Sequence, residues 1–140
     1  MKVYDAKNKI LGRLASIIAK ELLKGEEVVV VNAEKAVLSG KPSQKKEFYL
    51  ERIKRGDAIH GPFISRYPDE IFRRSVRGML PWNKSKGKEA FKRLKVFIGF
   101  PESFKNKIIE NIAEADASKL RSKYITLEEL SLALGAKKRW

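Results

Sequence analysis

The sequence predicts an α/β protein with a mostly parallel sheet, and three consecutive patterns near its start indicate this class. Val3 to Asp5 is a short run suited to a strand. Between residues 11 and 23, apolar side chains recur at the i, i+3, i+4, i+7 spacing of one helix face, and Gly25 follows as a helix-ending residue. Residues 27–31 then contain four consecutive valines, a run without alternation that is typical of a strand buried on both faces. Strand, helix and strand at this spacing form a βαβ unit, in which the two strands run parallel.

The pattern is less regular over the next thirty residues. Ala36 to Leu38 predicts a further strand or an extension of the sheet, which Gly40 to Pro42 then ends. Ser43 is a suitable N-cap for a polar helix that reaches about Arg55. Residues 56–67 hold two glycines and one proline without a clear period, so they predict a loop.

An arginine-rich helix is predicted after this loop. Pro68 suits its first turn, where the missing N–H is not needed, and Gly78 and Pro81 end it. Its apolar side consists of Ile71, Phe72, Ser75, Val76 and Met79. Its opposite side presents Arg73, Arg74 and Arg77.

A shorter basic helix is predicted next, after a loop of residues 82–87 that we expect to become ordered only with a partner. In this helix Lys88 and Lys92 point outwards together because they are four residues apart. Its inward-facing residues are Ala90, Phe91 and Leu94. Residues 95–99 (KVFIG) predict a strand.

The last forty residues predict two helices and a strand. Their apolar spacing favours a helix over about residues 104–114, on Ile108, Ile109, Ile112 and Ala113. Tyr124-Ile125 predicts a short edge strand. Thr126 and Glu129 have the spacing of a capping box, which starts a helix that ends at Gly135.

Length and composition predict a single domain of residues 1–140. We divide it into a core of about 3–100, a C-terminal helical extension of about 101–135 and a basic tail of 136–140. The lack of cysteine excludes disulfides and thiolate metal sites and is typical of a reducing cytosol. No apolar run approaches the ~18 residues of a transmembrane helix, and the N-terminal segment resembles no signal peptide. We therefore expect a cytoplasmic protein without a transmembrane segment.

Positive charge is concentrated in the middle of the chain, whose net charge is +14. Residues 1–40 carry seven basic and five acidic side chains, residues 41–100 sixteen and six, and residues 101–140 eight and six. Residues 73–99 alone hold nine Lys or Arg and a single acid, Glu89. Charge of this sign and density indicates nucleic acid or an anionic membrane surface as the partner.

Charge runs are usually solvated faces, but two features of residues 73–99 favour a binding surface. Their near lack of acids costs stability through repulsion unless a polyanion offsets it. Arginine also dominates the face with Arg73, Arg74 and Arg77, and its planar fork suits bidentate phosphate contacts better than lysine does. Trp82, between the two basic helices, could stack on a nucleobase or fill a gap in the domain, and both interpretations stay open.

The motifs argue against an enzyme. A dinucleotide fold needs a glycine-rich turn after the first strand, and that turn here holds only Gly12. The segment 39–42 (SGKP) lacks the second glycine and the Ser or Thr of a P-loop. His60, the only histidine, lacks a second ligand at metal spacing, which favours a loop residue or an RNA contact. We predict no catalytic residue, metal site or cofactor.

The spacings of DNA-binding motifs are also missing, which leaves recognition of folded RNA by shape and phosphate contacts.

Several blocks of residues are specific in combination. One block is Arg77 to Pro81 (RGMLP), followed by Gly87 and by Phe91 to Gly99 (FKRLKVFIG). The N-terminal half adds Asp5-Ala6, Leu11 to Ala15 (LGRLA), Val31 to Lys35 (VNAEK) and Ser39 to Lys41 (SGK). Together they span about residues 3–100 and closely resemble the large-subunit ribosomal protein thirteen family. The short start, the 52–67 loop, the different last forty residues and the Lys-, Glu- and Ile-rich composition favour an archaeal-type member.

This resemblance implies a three-layer α/β/α domain with a central, mostly parallel four-stranded sheet. It also implies a structural constituent of the large ribosomal subunit that binds large-subunit rRNA, supports early assembly and has no catalytic activity. Its other partners would be neighbouring large-subunit proteins, with no membrane and no small-molecule substrate, and it would be a monomer when free. A regulatory RNA-binding module outside the ribosome is the alternative.

The family's RNA-facing basic loop maps onto Arg77 and residues 81–95. From charge and resemblance together, we expect RNA contacts from Arg73, Arg74, Arg77, Trp82, Lys84, Lys86, Lys88, Lys92, Arg93, Lys95, Lys41, Lys45, Lys7, Lys9 and Arg13.

Overall fold

The computed structural model describes residues 1–57, 59–61, 63–110 and 112–138. Its strands are β1 (Lys2–Asp5), β2 (Val28–Val31), β3 (Val37–Ser39), β4 (Leu94–Val96), β5 (Ile109–Glu110) and β6 (Tyr124–Thr126). Its α-helices are α1 (Leu11–Leu23), α2 (Pro42–Lys54), α3 (Pro68–Arg77), α4 (Ser85–Lys92) and α5 (Leu127–Ala133). Of the predicted basic tail, Arg139 and Trp140 lie outside the described residues.

The central sheet has the order β4-β2-β1-β5, and its three strand pairs are all parallel. The valine run is β2, which is flanked by β1 and β4 and buried on both faces, as predicted. Helix α1 ends as predicted at Gly25, whose φ is +97°. The N–H of Gly25 donates to Leu22 and that of Glu26 to Glu21, at 3.1 and 3.3 Å, which satisfies carbonyls of the last turn. The predicted α/β class and its parallel sheet are confirmed.

The two faces of the sheet are covered differently. Tyr4, Val28 and Val30 face the main core, to which α1, α3, α4 and α5 all contribute. The opposite face consists of Val3, Val29 and Val31 and packs against Phe97, Phe100, Phe104 and Ile109. This second layer comes from the chain between residues 97 and 109, which includes a 3₁₀ turn at Glu102–Phe104.

Three of the sequence blocks meet at the carboxyl ends of β1 and β2. Asn32 adopts a left-handed backbone (φ +56°), and its Nδ2 donates to Asp5 Oδ1 at 3.0 Å. Glu34 is buried and accepts the N–H of Gly99 at 2.9 Å. These polar side chains therefore hold the ends of neighbouring elements together, since buried polar groups need hydrogen-bond partners.

The predicted strand around Ala36 forms, but it joins a separate sheet. Strand β3 pairs antiparallel with β6 in a two-stranded sheet. The predicted cap of α5 also forms, because Thr126 Oγ1 accepts the N–H of Glu129 at 3.2 Å. Ile125, Leu127 and Leu130 are fully buried in the main core, so this end of the chain packs with the rest. The division into core, extension and tail stays a prediction.

The helix predicted over residues 104–114 is wrong. Ile109 lies in β5 and pairs with Val3 of β1, while Ile108 points outwards and is 88% exposed. The isoleucine spacing fits a helix face, but the open edge of β1 offers strand pairing and a place for Ile109 in the second layer. Tertiary packing therefore overrides the local pattern.

Smaller corrections concern element ends. Helix α2 begins at Pro42 with Lys41 as N-cap, so Ser43 is inside the helix and the N-cap prediction is wrong. Proline at the first helical position explains the earlier start. Helix α4 begins at Ser85, so residues 85–87 of the predicted loop are built into the fold. Leu94 belongs to β4, which ends at Val96.

No helix among the described residues is both long and apolar enough to span a membrane.

Candidate nucleic-acid interface

Helix α3 holds its arginines outwards because its other side is anchored in the core. Ile71, Phe72 and Val76 are buried. Arg73 and Arg74 are exposed, and Arg77 is partly buried. The helix begins with Pro68 and carries Asp69 and Glu70 in its first turn, where carboxylates suit the positive end of the helix dipole. The arginines therefore occupy the middle and last turns of a helix whose other side is fixed in the core.

Helix α4 is fixed against the preceding turn through Gly87. This glycine is buried, and a Cβ built on it would lie 2.1 Å from the carbonyl oxygen of Pro81 and 2.5 Å from its carbonyl carbon. The same carbonyl oxygen accepts the N–H of Lys84 at 3.0 Å. The close approach therefore sets where the helix and its lysines lie. The exposed lysines of this region are Lys84, Lys86, Lys88 and Lys92, with Lys95 following on β4.

Four side chains form a stacked row that joins α3 to α4. The guanidinium of Arg73 lies 4.9 Å from the ring centroid of Phe91, and that of Arg77 lies 4.1 Å from that of Trp82. The two rings meet edge to face at 5.3 Å. Cation–π contacts of this length orient the guanidinium planes and leave their N–H edges available. Trp82 packs on protein and also keeps 38% of its surface exposed, which is compatible with both of its predicted roles.

A groove of about 1020 Å³ opens beside the stacked row. One wall comes from Tyr49 and Arg52 of α2, from its C-cap Arg55 and from the segment Phe63 to Ser65. The other comes from α3 and α4, between Glu70 and Phe91. We call it the arginine groove because five arginines line it: Arg52, Arg55, Arg73, Arg74 and Arg77.

The arginine groove has few compensating acids. Arg55 donates to Glu51 at 2.7 Å, and the only carboxylate among the groove's described lining residues, Glu70, accepts from Ser65 Oγ. Burial raises the pKa of Tyr49 further above its ordinary value, which already keeps the hydroxyl protonated and able to donate at neutral pH. The groove thus presents an excess of donors and positive charge.

Two of the predicted contact residues are engaged inside the protein. Lys9 is buried, and its Nζ lies 3.7 Å from Asp116 Oδ2. Arg93 donates through Nη2 to the carbonyl of Leu22 at 2.6 Å, which ties the end of α4 to the end of α1. These positions favour structural roles for both side chains.

The remaining predicted residues lie elsewhere on the surface. Lys41 precedes α2 and Lys45 lies in its first turn. Arg13 is exposed on α1 and donates through Nη1 to the carbonyl of Glu114 at 3.4 Å. Lys7 is exposed in the turn after β1. The structure thus brings the arginines of α3 together with α4 and leaves these four outside the arginine groove.

A second opening lies at the carboxyl ends of β1 and β5. In an open parallel sheet this is where ligands bind when the strand order reverses, as it does here on either side of β1. The opening has a volume of about 340 Å³ and contains the carboxylates of Asp5, Glu110 and Asp116 with the lysines Lys7 and Lys9. We call it the carboxyl-end crevice. Asp116 Oδ1 accepts the N–H of Ser118, which lowers the pKa of this carboxyl group.

The carboxyl-end crevice is poorly suited to a phosphate group, since its acids outnumber its bases and Lys9 is paired. No group of three or more His, Cys, Asp or Glu side chains in the described ranges is placed to hold a metal ion. His60 is exposed, and its Nδ1 lies 3.1 Å from Asp57 Oδ2, three residues earlier in the chain.

Sequence reasoning missed one wall of the arginine groove. Tyr49, Arg52 and Arg55 recur at three-residue spacing and so share one side of α2. That spacing could have indicated the face, but nothing in the sequence places α2 opposite α3. Phe63 lies in a loop whose sequence has no periodicity, so no pattern indicated that it lines the groove.

The family model for ribosomal protein L13 matches residues 1–103 of the chain. Curated relatives named large ribosomal subunit protein uL13 match nearly all of it. The protein of Methanopyrus kandleri is 54% identical over 95% of this chain and 86% of the relative, and that of Archaeoglobus fulgidus is 50% identical over the same shares. The protein of Methanosarcina barkeri is 47% identical over 98% of this chain and 99% of the relative. These archaeal relatives confirm the predicted archaeal type.

Proposed function

Since the chain belongs to the ribosomal protein L13 family, we propose that it is a structural constituent of the large ribosomal subunit. It binds large-subunit rRNA through α3, α4 and the turn between them. The observation that supports this surface most is the cluster of exposed cations there. Residues 73–99 hold nine bases and one acid, and none of these bases is in an ion pair with an acid in the described part of the chain. The family is one of ribosomal proteins and is structural rather than enzymatic.

The proposed contact surface has a centre and a periphery. Its centre is Arg73, Arg74, Arg77 and Trp82 with the lysines of α4. Its periphery is Lys95, Lys41, Lys45, Lys7 and Arg13, which are largely accessible. We leave Lys9 and Arg93 out of it because the first is buried in an ion pair and the second bonds to α1.

Binding by this surface is electrostatic docking on a preformed support. Each phosphate that a Lys or Arg neutralises releases condensed counterions, so affinity should fall steeply with salt. The stacked row limits the freedom of Arg73 and Arg77 before binding, which reduces the entropy lost when they contact phosphate. The arginines then fix orientation, and the lysines of α4 extend the attraction.

The place of action in this proposal is the ribosome in the cytoplasm, where the protein also contacts neighbouring large-subunit proteins. We further propose that it joins the subunit early in assembly and is a monomer beforehand. Early binding suits a small, independently packed domain, because its RNA surface exists before the neighbours arrive.

The test is a double charge reversal, Arg77→Glu with Lys88→Glu. Like charges facing phosphate cost several kcal/mol, so affinity for deproteinised large-subunit rRNA should fall at least about 100-fold. The matched control is Lys20→Glu with Lys107→Glu, which changes the net charge equally at exposed positions of α1 and of the second layer. Filter binding across a salt series measures both, and wild type should lose affinity with a slope of about −0.7 to −0.9 per neutralised phosphate.

Equal loss in both double variants would mean that only net charge matters and would contradict the proposed surface. Circular dichroism must show that the variants remain folded. Sedimentation with large subunits in high salt separates a resident of the ribosome from a regulatory module, which would bind RNA but stay in the supernatant.

A further inference from the structure

We propose that the arginine groove holds an unpaired nucleotide of the bound RNA, with its base against Phe63 and its phosphate on the arginines of α2 and α3. This inference rests on the proposed RNA binding and names the form of RNA that one part of the surface takes. It adds a wall, formed by Tyr49, Arg52 and Phe63, to the basic helices.

The charge of the arginine groove selects an anion. Five guanidinium groups line it, and in the described part of the chain only that of Arg55 is in an ion pair. Glu70, the single carboxylate among the described lining residues, accepts from Ser65 Oγ. A neutral or basic peptide would gain little from the free donors, whereas a phosphodiester or a carboxylate matches them.

The aromatic rings of the arginine groove favour a ligand that has a flat apolar face as well as a phosphate. Phe63 lies on its rim with 74% of its surface exposed, and Tyr49 and Phe91 line the interior. The backbone of an RNA duplex would contact the cations and leave these rings unused. An unpaired base supplies a flat apolar face for an aromatic ring, which is how proteins recognise unstacked nucleotides.

The ring of Phe63 lies against the turn that precedes it. Asp57 and Gly61 exchange two backbone hydrogen bonds of 3.0 Å, and Gly61 adopts a φ of +77°. A Cβ built on Gly61 would lie 3.2 Å from the Phe63 ring, so ring and turn are in close contact. Phe63 is thus presented towards the groove by a closed turn.

The guanidinium planes and the volume also fit a nucleotide. Arg52 lies 5.6 and 6.0 Å from the ring centroids of Phe48 and Tyr49, and Arg73 lies over Phe91. These contacts orient the flat groups on both walls. The volume of about 1020 Å³ is at the upper end of the range of ligand clefts, which leaves room for a base, its sugar and its phosphate.

The test uses variants that keep the net charge, Phe63→Leu and Arg52→Lys, so long-range attraction to RNA is unchanged. The probes are a short labelled oligouridylate and a blunt RNA duplex of equal length, with affinity measured by fluorescence anisotropy. Each variant should lose about tenfold in affinity for the oligouridylate and less than about twofold for the duplex. The matched controls are Tyr124→Leu on β6 and Arg121→Lys, both exposed and outside the groove, and they should change neither affinity.

Equal losses on both RNAs would overturn the inference, because the groove would then be a cationic patch without a place for a base. Unchanged affinities in both variants would also overturn it. If Arg77→Glu with Lys88→Glu still abolishes rRNA binding in that case, the proposed function stands and only the nucleotide site fails. If that double variant also binds normally, the proposed function itself fails.

A second readout distinguishes RNA from a protein occupant. With p-benzoylphenylalanine in place of Phe63, irradiation of large subunits should cross-link the chain to an unpaired rRNA nucleotide. A cross-link to another ribosomal protein would overturn the inference.

Discussion

The arginine groove and the carboxyl-end crevice are two openings in one fold with opposite chemistry. The crevice occupies the position where open parallel sheets bind ligands, yet it contains the carboxylates of Asp5, Glu110 and Asp116, and its buried Lys9 is paired with the partly exposed Asp116. The groove lies between helices, away from the strand ends, and is lined by five arginines and three aromatic rings. The fold therefore offers a position for a site, but the side chains decide which opening can bind a polyanion.

The two openings also differ in what fixes them. Hydrogen bonds hold two carboxylates of the crevice in place, since Asn32 donates to Asp5 and the N–H of Ser118 to Asp116. The groove is shaped by how helices approach one another, and its lining side chains are partly accessible. Changes in helix position should consequently affect the groove, whereas changes in the crevice should affect stability alone.

The largest expected effect is at Gly87, which sets the position of α4. Gly87→Ala places a Cβ 2.1 Å from the Pro81 carbonyl oxygen, so α4 must move away from the preceding turn. Overpacking against backbone of this kind should lower the free energy of unfolding by about 3 kcal/mol and weaken rRNA binding. Urea unfolding and filter binding measure the two effects.

Gly12→Ala is the matched control, because no atom lies within 4 Å of a Cβ built on Gly12, which is in α1. Alanine in a helix should stabilise by up to about 1 kcal/mol there. A Gly87→Ala protein with the stability of Gly12→Ala would contradict the close approach of α4 and the turn.

Lys9 provides a test of the crevice, with an intermediate effect. Lys9→Ala removes a buried side chain and its pair with Asp116, and should lower the free energy of unfolding by about 1–2 kcal/mol while rRNA affinity stays within about twofold. Lys7→Ala, two residues away and exposed, should change stability by less than about 0.5 kcal/mol. A large loss of RNA affinity in Lys9→Ala would return this residue to the contact surface and weaken the contrast between the openings.

The smallest expected effect is on how the free energy of unfolding decreases at acid pH, and it depends on Asp116. The Ser118 N–H, with help from Lys9, lowers the pKa of Asp116 below its ordinary value in the folded protein. Its contribution to stability is therefore fully present above the unfolded pKa of about 3.9 and is lost as the pH falls through the lower folded pKa. Asp116→Asn keeps an oxygen that can accept the N–H of Ser118 but removes this titration.

Urea unfolding between about pH 6 and about pH 2 should show a shallower decline for Asp116→Asn than for wild type. Parallel pH curves would mean that Asp116 has the same pKa folded and unfolded. Ser118→Ala retains the backbone donor but removes the smaller contribution of the Ser118 hydroxyl, so its curve should lie between those of wild type and Asp116→Asn.

Local signals were strong enough to predict most of the helices and the centre of the sheet. Four valines in a row, the helix periodicity before them and the Thr126 cap each depend on residues close in sequence, and each forms as predicted. The arginine face of α3 also follows from a single periodicity. The failures lie where partners distant in sequence decide, as when Ile109 pairs with Val3 rather than forming a helix.

Only one wall of the arginine groove, the arginine face of α3, was predictable from the sequence. Charge and spacing indicate Arg73, Arg74 and Arg77, because one helix presents all three. Whether Lys9 and Arg93 are free or engaged depends on Asp116 and on the Leu22 carbonyl, which are distant in the chain. Sequence pattern reports the type of a side chain, but its availability depends on what folds against it.

The sequence by itself determined the α/β class, the buried central strand and the family, since each rests on local patterning or on contiguous blocks. Only the tertiary structure decided that α2 faces α3 across a groove, that phenylalanines cover the second face of the sheet, and that the carboxyl-end crevice is acidic. The physical reason is the range of the interactions. Helix periodicity and capping act within about one turn, whereas packing and ion pairs join residues more than a hundred positions apart, whose pairing local preferences do not specify.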